Sequence, residues 1–223
     1  MPVDPNWLDF LEDVSGRADG YWIFRGEADN AWELQPKVGR PHVCGPAGYR
    51  LADEMILFND FCREAPRYER GSGFTATDWL AVAQHHGLPT RLLDWTTNPL
   101  TAAWFAVADE ANSHDGRIHM IRVVTRSVVI DPFAIAGSPV IAHVPALAAR
   151  ITAQQGLFSI HPNPDLTWTP SGVGIMYETF DVPAGSKPEF RRTLHHLGFD
   201  SSRLMSDLDG LTKTLQWKYH NRT

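Results

Sequence analysis

QHHGLPTRLLDWTTNPLTAAWFA, residues 84–106, runs a polar-studded segment directly into a very apolar one. Read with a period of two, TRLLDWT (90–96) puts Thr90, Leu92, Asp94 and Thr96 on one face of a strand and Arg91, Leu93 and Trp95 on the other. Asn98 and Pro99 then start a helix through PLTAAWFAVADEA, with Asn98 as N-cap and Pro99 in the first turn. Asp94 and Thr96 therefore point together at a strand's C-terminal end, beside a helix N-terminus. Free backbone N–H groups and the helix dipole favour negative charge at such a place. The alternative is structural: Asp94 caps the following loop, and Arg91 pairs with a buried carboxylate.

Upstream of this stretch, DPNWLDFLEDV (4–14) predicts a helix with Asp4 as N-cap and Pro5 at its first position. YWIFRG (21–26) reads as a strand ending at a glycine, and 27–46 as a Pro/Gly-punctuated loop carrying Lys37 and Arg40. Helical spacing runs from Tyr49 to Glu64 and stops before Pro66. Thr77 is the expected cap of a helix through DWLAVAQHH, closed by Gly87.

Downstream, RIHMIRVV (117–124) alternates as a strand does, followed by a weaker strand at SVVID (127–131). ALAARITAQ (146–154) predicts a helix, and GLFSIH (156–161) and IMYETFDV (175–182) predict strands. Ser186 and Glu189 form a capping-box pattern for a helix through His196, and a last helix occupies about 204–219. The segments 132–145 and 162–174 read as surface loops. Strands and helices mix without a βαβ rhythm. The expected class is therefore α+β, one domain with mixed or antiparallel sheets flanked by helices.

A chain of 223 residues with 43% apolar and 21% charged residues can build a sizeable core without disulfide or metal staples. Its net charge of −6 supplies no footprint for tight, sequence-independent nucleic-acid binding, although a local basic patch stays open. Cys44 and Cys62 lack CxxC spacing and read as reduced structural thiols. No apolar run approaches the ~18 residues of a membrane span, and MPVDPNWLDF is no signal peptide, so the expectation is a soluble, cytoplasmic protein.

His85 and His86 are neighbours, about 100° apart on a helix, and do not share a metal. No H-E-x-x-H or cysteine pair accompanies them, and no metal is expected. His195 and His196 suit the last turn of a helix, where they meet carbonyls. Arg25 ends an apolar strand before Gly26, where backbone approaches a ligand closely and a guanidinium grips phosphate or carboxylate. Its structural alternative is a salt bridge to Glu27, Asp29 or Glu54. Trp32 and Trp168 lie in loops where they could stack on a ring.

IFRG (23–26), HHGLPTRLLDWTTNPLTAAWFA (85–106), RITAQQGLFSIH (150–161) and SDLDGL (206–211) resemble the FRG domain family, named for its Phe-Arg-Gly motif. The resemblance implies a domain over 21–223, preceded by an N-terminal helical arm over 1–20. It also implies a bacterial setting near defence or toxin–antitoxin loci, with an antitoxin protein as a partner.

A second pattern is similar to the ADP-ribosyltransferase superfamily. Arg25-Gly26 stands where that superfamily places its first-strand Arg. Thr96-Thr97 leads into Ala102-Ala103-Trp104-Phe105-Ala106 as its second strand leads into its helix, and Gln154-Gln155 precedes a later strand. This resemblance implies a split sheet and NAD as co-substrate. Arg25 and Gly26 would meet its phosphates or ribose, and Thr96 the nicotinamide ribose. Trp95, Phe158 or Tyr177 would stack on the nicotinamide. Gln155 would orient the acceptor and the ribose hydroxyl, with Glu178 or Glu189 as acids in its place. His85 and Asp94 would serve as base or orienting groups.

The expected function is thus an NAD-dependent ADP-ribosyltransferase-like toxin or antiphage effector modifying RNA, DNA or protein. Two alternatives stand beside it. One is a non-catalytic nucleotide- or ligand-sensing module. The other is a metal-independent nuclease or hydrolase using His85, His161 and Asp94.

Overall fold

The computed structural model describes residues 3–68, 71, 73–109, 111–144, 153–172 and 174–221. Among them run α1 (Pro5–Ser15), β1 (Trp22–Glu27), α2 (Pro41–Cys44), α3 (Leu51–Glu64), α4 (Ala76–His85), β2 (Leu92–Thr96) and α5 (Pro99–Val107). There follow β3 (Gly116–Arg122), β4 (Val140–Ala142), β5 (Gly156–Ile160), β6 (Met176–Val182), α6 (Lys187–His196), α7 (Ser201–Met205) and α8 (Leu208–His220). The strands form one sheet in the order β4-β5-β2-β1-β3-β6, with each neighbouring pair antiparallel. The fold is α+β.

One face of the sheet buries Trp22 and Phe24 of β1 and Ile118 and Met120 of β3 against α5, α1 and α6. The approach of α5 is set by glycines. A Cβ on Gly26 would lie 1.8 Å from the Ala102 carbonyl oxygen, and one on Gly116 would lie 2.3 Å from that of Ala106. Small residues on helix and strand let the two backbones nearly touch. α1 joins the same cluster through Trp7 and Phe10, with the Trp7 ring edge-on to Phe190 at 5.0 Å. Residues 5–15 thus share the core of the sheet.

The opposite face buries Ile23, Leu93, Trp95 and Leu157 beneath Leu34 and Trp168. A third cluster packs Phe58 of α3 and Leu80 of α4 onto Leu92, Phe158 and Ile160. Leu92 and Leu93 thus enter clusters on opposite faces, as the alternation of TRLLDWT requires.

Several local expectations need correction. Thr75, not Thr77, caps α4, and Asp78 completes its capping box. Ser186 makes no cap hydrogen bond with its side chain; its hydroxyl accepts from Asn6 Nδ2 at 2.9 Å. The last helix is two, because Ser206 turns left-handed (φ 55°) and the Asp207 carboxylate caps a new start at Gly210 N. Residues 132–145 contain the edge strand β4, while SVVID reaches it only through a bridge from Ser127 to Ala142. Most of the helix expected at 146–154 lies outside the described residues.

Candidate functional site: a cleft between two strands

Phe24, Arg25 and Gly26 have three different tasks. Phe24 is buried in the core, opposite Thr96 in the pairing of β1 with β2. Gly26 admits the α5 backbone. Arg25 fills a gap in the sheet. β1 pairs with β3 along its length, from Trp22 opposite Arg122 to Glu27 opposite Arg117. β2 likewise pairs with β5 from Leu92 to Thr96. Between β1 and β2, Phe24–Thr96 is the registered pair, and beyond it the strands part. The Arg25 guanidinium crosses this gap. Its Nη1 donates to the Asp94 carbonyl oxygen at 2.9 Å, and its Nε donates to Glu27 Oε1 at 3.1 Å.

A cavity of about 170 Å³ opens here, lined by Arg25, Asp94, Thr96, Thr101, Phe105 and Gln154, among others. A second, of about 80 Å³, adjoins it and is lined by Gln84, His85, Gly156 and Phe158. Asp94, Trp95 and Gln154 line both. Asp94 is the carboxylate at this junction. Its side chain is 59% exposed, and Oδ2 lies 4.0 Å from Arg25 Nη1.

The Thr96 hydroxyl donates to the Gln154 carbonyl oxygen at 2.6 Å and accepts from Asn98 N at 3.0 Å. It ties the strand end to the start of α5 and to the segment before β5. Asn98 Oδ1 then accepts from Leu100 N at 3.0 Å, as the N-cap expectation holds. Gln154, not Gln155, lines the cleft. Its Nε2 donates to the Leu204 carbonyl at 2.9 Å. Gln155 is left-handed (φ 49°) and is tied back, with its Oε1 accepting from Thr97 Oγ1 at 3.3 Å.

Residues 20–115 match the family model of the FRG domain. Over that segment the chain is similar to the FRG domain. The matched segment brings together Arg25, Gly26, His85, Asp94, Thr96 and Phe105, whereas Gln154 and β5 close the cleft from outside it. No match to a curated protein or to a solved structure was found.

Behind Arg25 lies a buried polar chain. Glu27 Oε2 is 3.2 Å from His119 Nε2, and His119 Nδ1 is 2.8 Å from the Tyr177 hydroxyl. Burial disfavours the charged Glu27 carboxylate, but Arg25 and His119 outweigh it and hold its pKa below the ordinary value. Arg40 is also affected, its pKa lowered by burial and then by the charge of Arg25. His119 is the neighbour of the Arg25–Glu27 pair that sequence reasoning missed. Alternation in RIHMIRVV puts it on the face of Ile121, but only the register places it opposite Arg25.

The remaining candidates separate. Trp95 is buried, donates through Nε1 to Ser159 Oγ at 2.9 Å and packs edge-on to Trp168, so its ring is not an open stacking platform. Phe158 lines the smaller cavity. His161 Nε2 lies 2.8 Å from Ser159 Oγ, on the face opposite His85. Burial first, then Arg25 and Arg91, depress the His161 pKa to about 3, so it is neutral near pH 7. Glu178 is taken by Arg17 and Glu189 by Arg192, and neither lines the cleft. Arg91 is structural: it donates to both Glu54 oxygens, at 3.0 and 2.6 Å, and to the Tyr49 hydroxyl at 3.0 Å.

Proposed function

We propose that this chain binds NAD in the cleft between β1 and β2 and transfers its ADP-ribosyl group to an acceptor. The observation that supports this reading most is convergence: Arg25, Thr96 and Gln154 line one cavity, and the Asp94 carboxylate stands where it meets a second. The residue types fit the co-substrate. A guanidinium suits a pyrophosphate, and a cavity of about 170 Å³ takes one ring-sized group, with the rest of the dinucleotide outside it.

When bound, NAD supplies a ribosyl carbon whose bond to the nicotinamide nitrogen breaks with positive charge developing at that carbon. Arg25 holds the anionic part, its own geometry fixed by Glu27 and the Asp94 carbonyl. Asp94 offers negative charge toward the developing cation and then takes the acceptor's proton. His85 lines the adjoining cavity, where it would orient the acceptor. Thr96 acts as a positioning residue, since its hydroxyl is committed to Gln154 and Asn98.

Incubation of the purified chain with NAD and RNA, DNA or cell lysate, with nicotinamide release as the readout, tests this. Release that Arg25→Ala abolishes supports transfer, and no release with any acceptor sinks it. A toxin-type effector further predicts growth arrest on expression, relieved by the same substitution and by a cognate antitoxin.

A second reading is a nucleotide-sensing module using the same cleft. The exposure of Asp94 favours it, because a carboxylate in water exerts less electrostatic leverage than a buried one. Saturable NAD or nucleotide binding without nicotinamide release identifies that case.

A further inference from the structure

A polar chain crosses the adjacent strands β2, β1, β3 and β6 and meets the cleft at Arg25. It runs from the Asp94 carbonyl oxygen through Arg25, Glu27 and His119 to the Tyr177 hydroxyl, in steps of 2.9, 3.1, 3.2 and 2.8 Å. Register makes these contacts. His119 stands opposite Arg25 and Thr179 opposite His119, so Tyr177 is the diagonal neighbour of His119 on the same face. The Tyr177 ring lies nearly parallel to the imidazole, at 9° with centroids 6.0 Å apart. The Glu27 and His119 side chains are each 3% exposed, so bulk water does not stand in for a lost partner.

The chain has a direction. A carboxylate only accepts, so each Glu27 oxygen needs a donor. Arg25 Nε–H supplies Oε1. For Oε2, the neutral imidazole must carry its proton on Nε2, which leaves Nδ1 to accept from the Tyr177 hydroxyl. Every member is then satisfied, with Tyr177 donating to His119 and both His119 and Arg25 donating to Glu27. The guanidinium is held at Nε by Glu27 and at Nη1 by the Asp94 carbonyl, which together set the plane of its fork. Among the described residues no hydrogen bond takes Nη2, so that plane decides where it meets a ligand.

We propose that His119 and Tyr177, neither of which lines the cleft, are positioning residues that aim the Arg25 fork at its ligand through Glu27. That the ligand is NAD rests on the reading above; the aiming of Arg25 does not.

Two substitutions at His119 separate positioning from packing. His119→Gln places an amide near the former Nε2 and keeps a donor for Glu27. His119→Asn reaches only the former Nδ1 and loses it. Both are polar and both remove the ring stacked on Tyr177. Heteronuclear NMR and NAD calorimetry at about pH 8.5, above the ordinary histidine range, follow the chain. In the parent, His119 is expected as the Nε2–H tautomer. Glu27→Gln should convert it to Nδ1–H, because an amide N–H then faces the imidazole where an oxygen accepted before. The Arg25 Nε–H should be protected from exchange in the parent and in His119→Gln, and exposed in His119→Asn.

NAD affinity should fall about tenfold in His119→Asn and about threefold in His119→Gln and Tyr177→Phe, within the range for one hydrogen bond. Thermal melting shows that each variant is folded. Tyr177→Phe deletes one hydroxyl at a half-buried position and keeps the test open should either His119 variant unfold. An Nδ1–H tautomer in the parent overturns the proposal. So does Arg25 exchange unchanged by His119→Asn and by Tyr177→Phe, or NAD affinity lowered equally by His119→Gln and His119→Asn. The expected Arg25 response in a parent that binds no NAD supports the positioning and sinks the NAD reading alone.

Discussion

The guanidinium of Arg25 donates to the backbone carbonyl of Asp94 at 2.9 Å, across a sheet in which their strands share the registered pair Phe24–Thr96. A side chain there satisfies a carbonyl that a neighbouring strand would otherwise meet. The same group faces the cavity. Arg25 therefore both ties the strands and lines the cavity proposed to bind NAD.

Replacing Arg25 by Ala removes the cation from the cleft and leaves Glu27 buried with one partner fewer. Ligand binding, followed by calorimetry with NAD, should be lost. Stability in urea should fall by about 1–3 kcal/mol, the cost of a buried polar group deprived of its hydrogen bond. Arg25→Lys should retain part of the stability and little of the binding, because an ammonium cannot reach Glu27 and Asp94 with a planar fork.

Thr96→Val deletes a hydroxyl that both donates and accepts. About 1–2 kcal/mol of stability should go with it, and Gln154 should lose its anchor to the strand. Thr96→Ser should rescue both stability and ligand binding. Equal binding by the Val variant would show that this tie does not shape the cleft.

At Gly26, the substitution to Ala meets the backbone of α5, which cannot swing aside as a side chain can. Overpacking of this kind costs about 1–3 kcal/mol or more and should displace the helix that carries Thr101 and Phe105. A lower melting temperature together with impaired ligand binding is the expected pair of results.

Arg91 and Glu54 are both almost fully buried, with side-chain exposures of 1% and 2%. Glu54→Gln or Arg91→Met alone should each cost about 3–5 kcal/mol, because a buried charge is left unpaired. The double replacement Arg91→Met with Glu54→Leu should recover much of that loss. A double-mutant cycle in urea measures the coupling.

His161 sets a pH dependence. Its folded pKa of about 3 lies below the ordinary histidine value of 6.5, so the unfolded chain binds the extra proton between these values. Stability is therefore full above about pH 6.5 and declines as pH falls toward 3. Glu27, whose pKa is also lowered, adds to the decline at the acid end, below 4.5. Urea unfolding across pH 3–7 should show a shallower slope in His161→Gln than in the parent chain.

The stretch 84–106 by itself determined much of its local structure. Its alternation set Leu92 and Leu93 on opposite faces, and Asn98 with Pro99 started α5 where local chemistry demands. Arg91 was legible as a pairing group, since a guanidinium inside an apolar run needs a carboxylate. Arg25 and Gly26 were legible as a place of close approach. These features depend on residues within a turn or a strand's length of one another, so periodicity and capping report them.

Tertiary structure alone decided the cleft. The gap exists because β1 and β2 diverge beyond Phe24 and Thr96, a matter of pairing between segments some 70 residues apart that no local period encodes. The same holds for Gln154 in place of its neighbour Gln155, because Gln155 turns left-handed and its side chain is tied back to Thr97. Likewise, His119 reaches Glu27 through register, and α8 starts afresh because Ser206 turns left-handed. Side-chain period is a property of one strand; a site made between strands belongs to their arrangement.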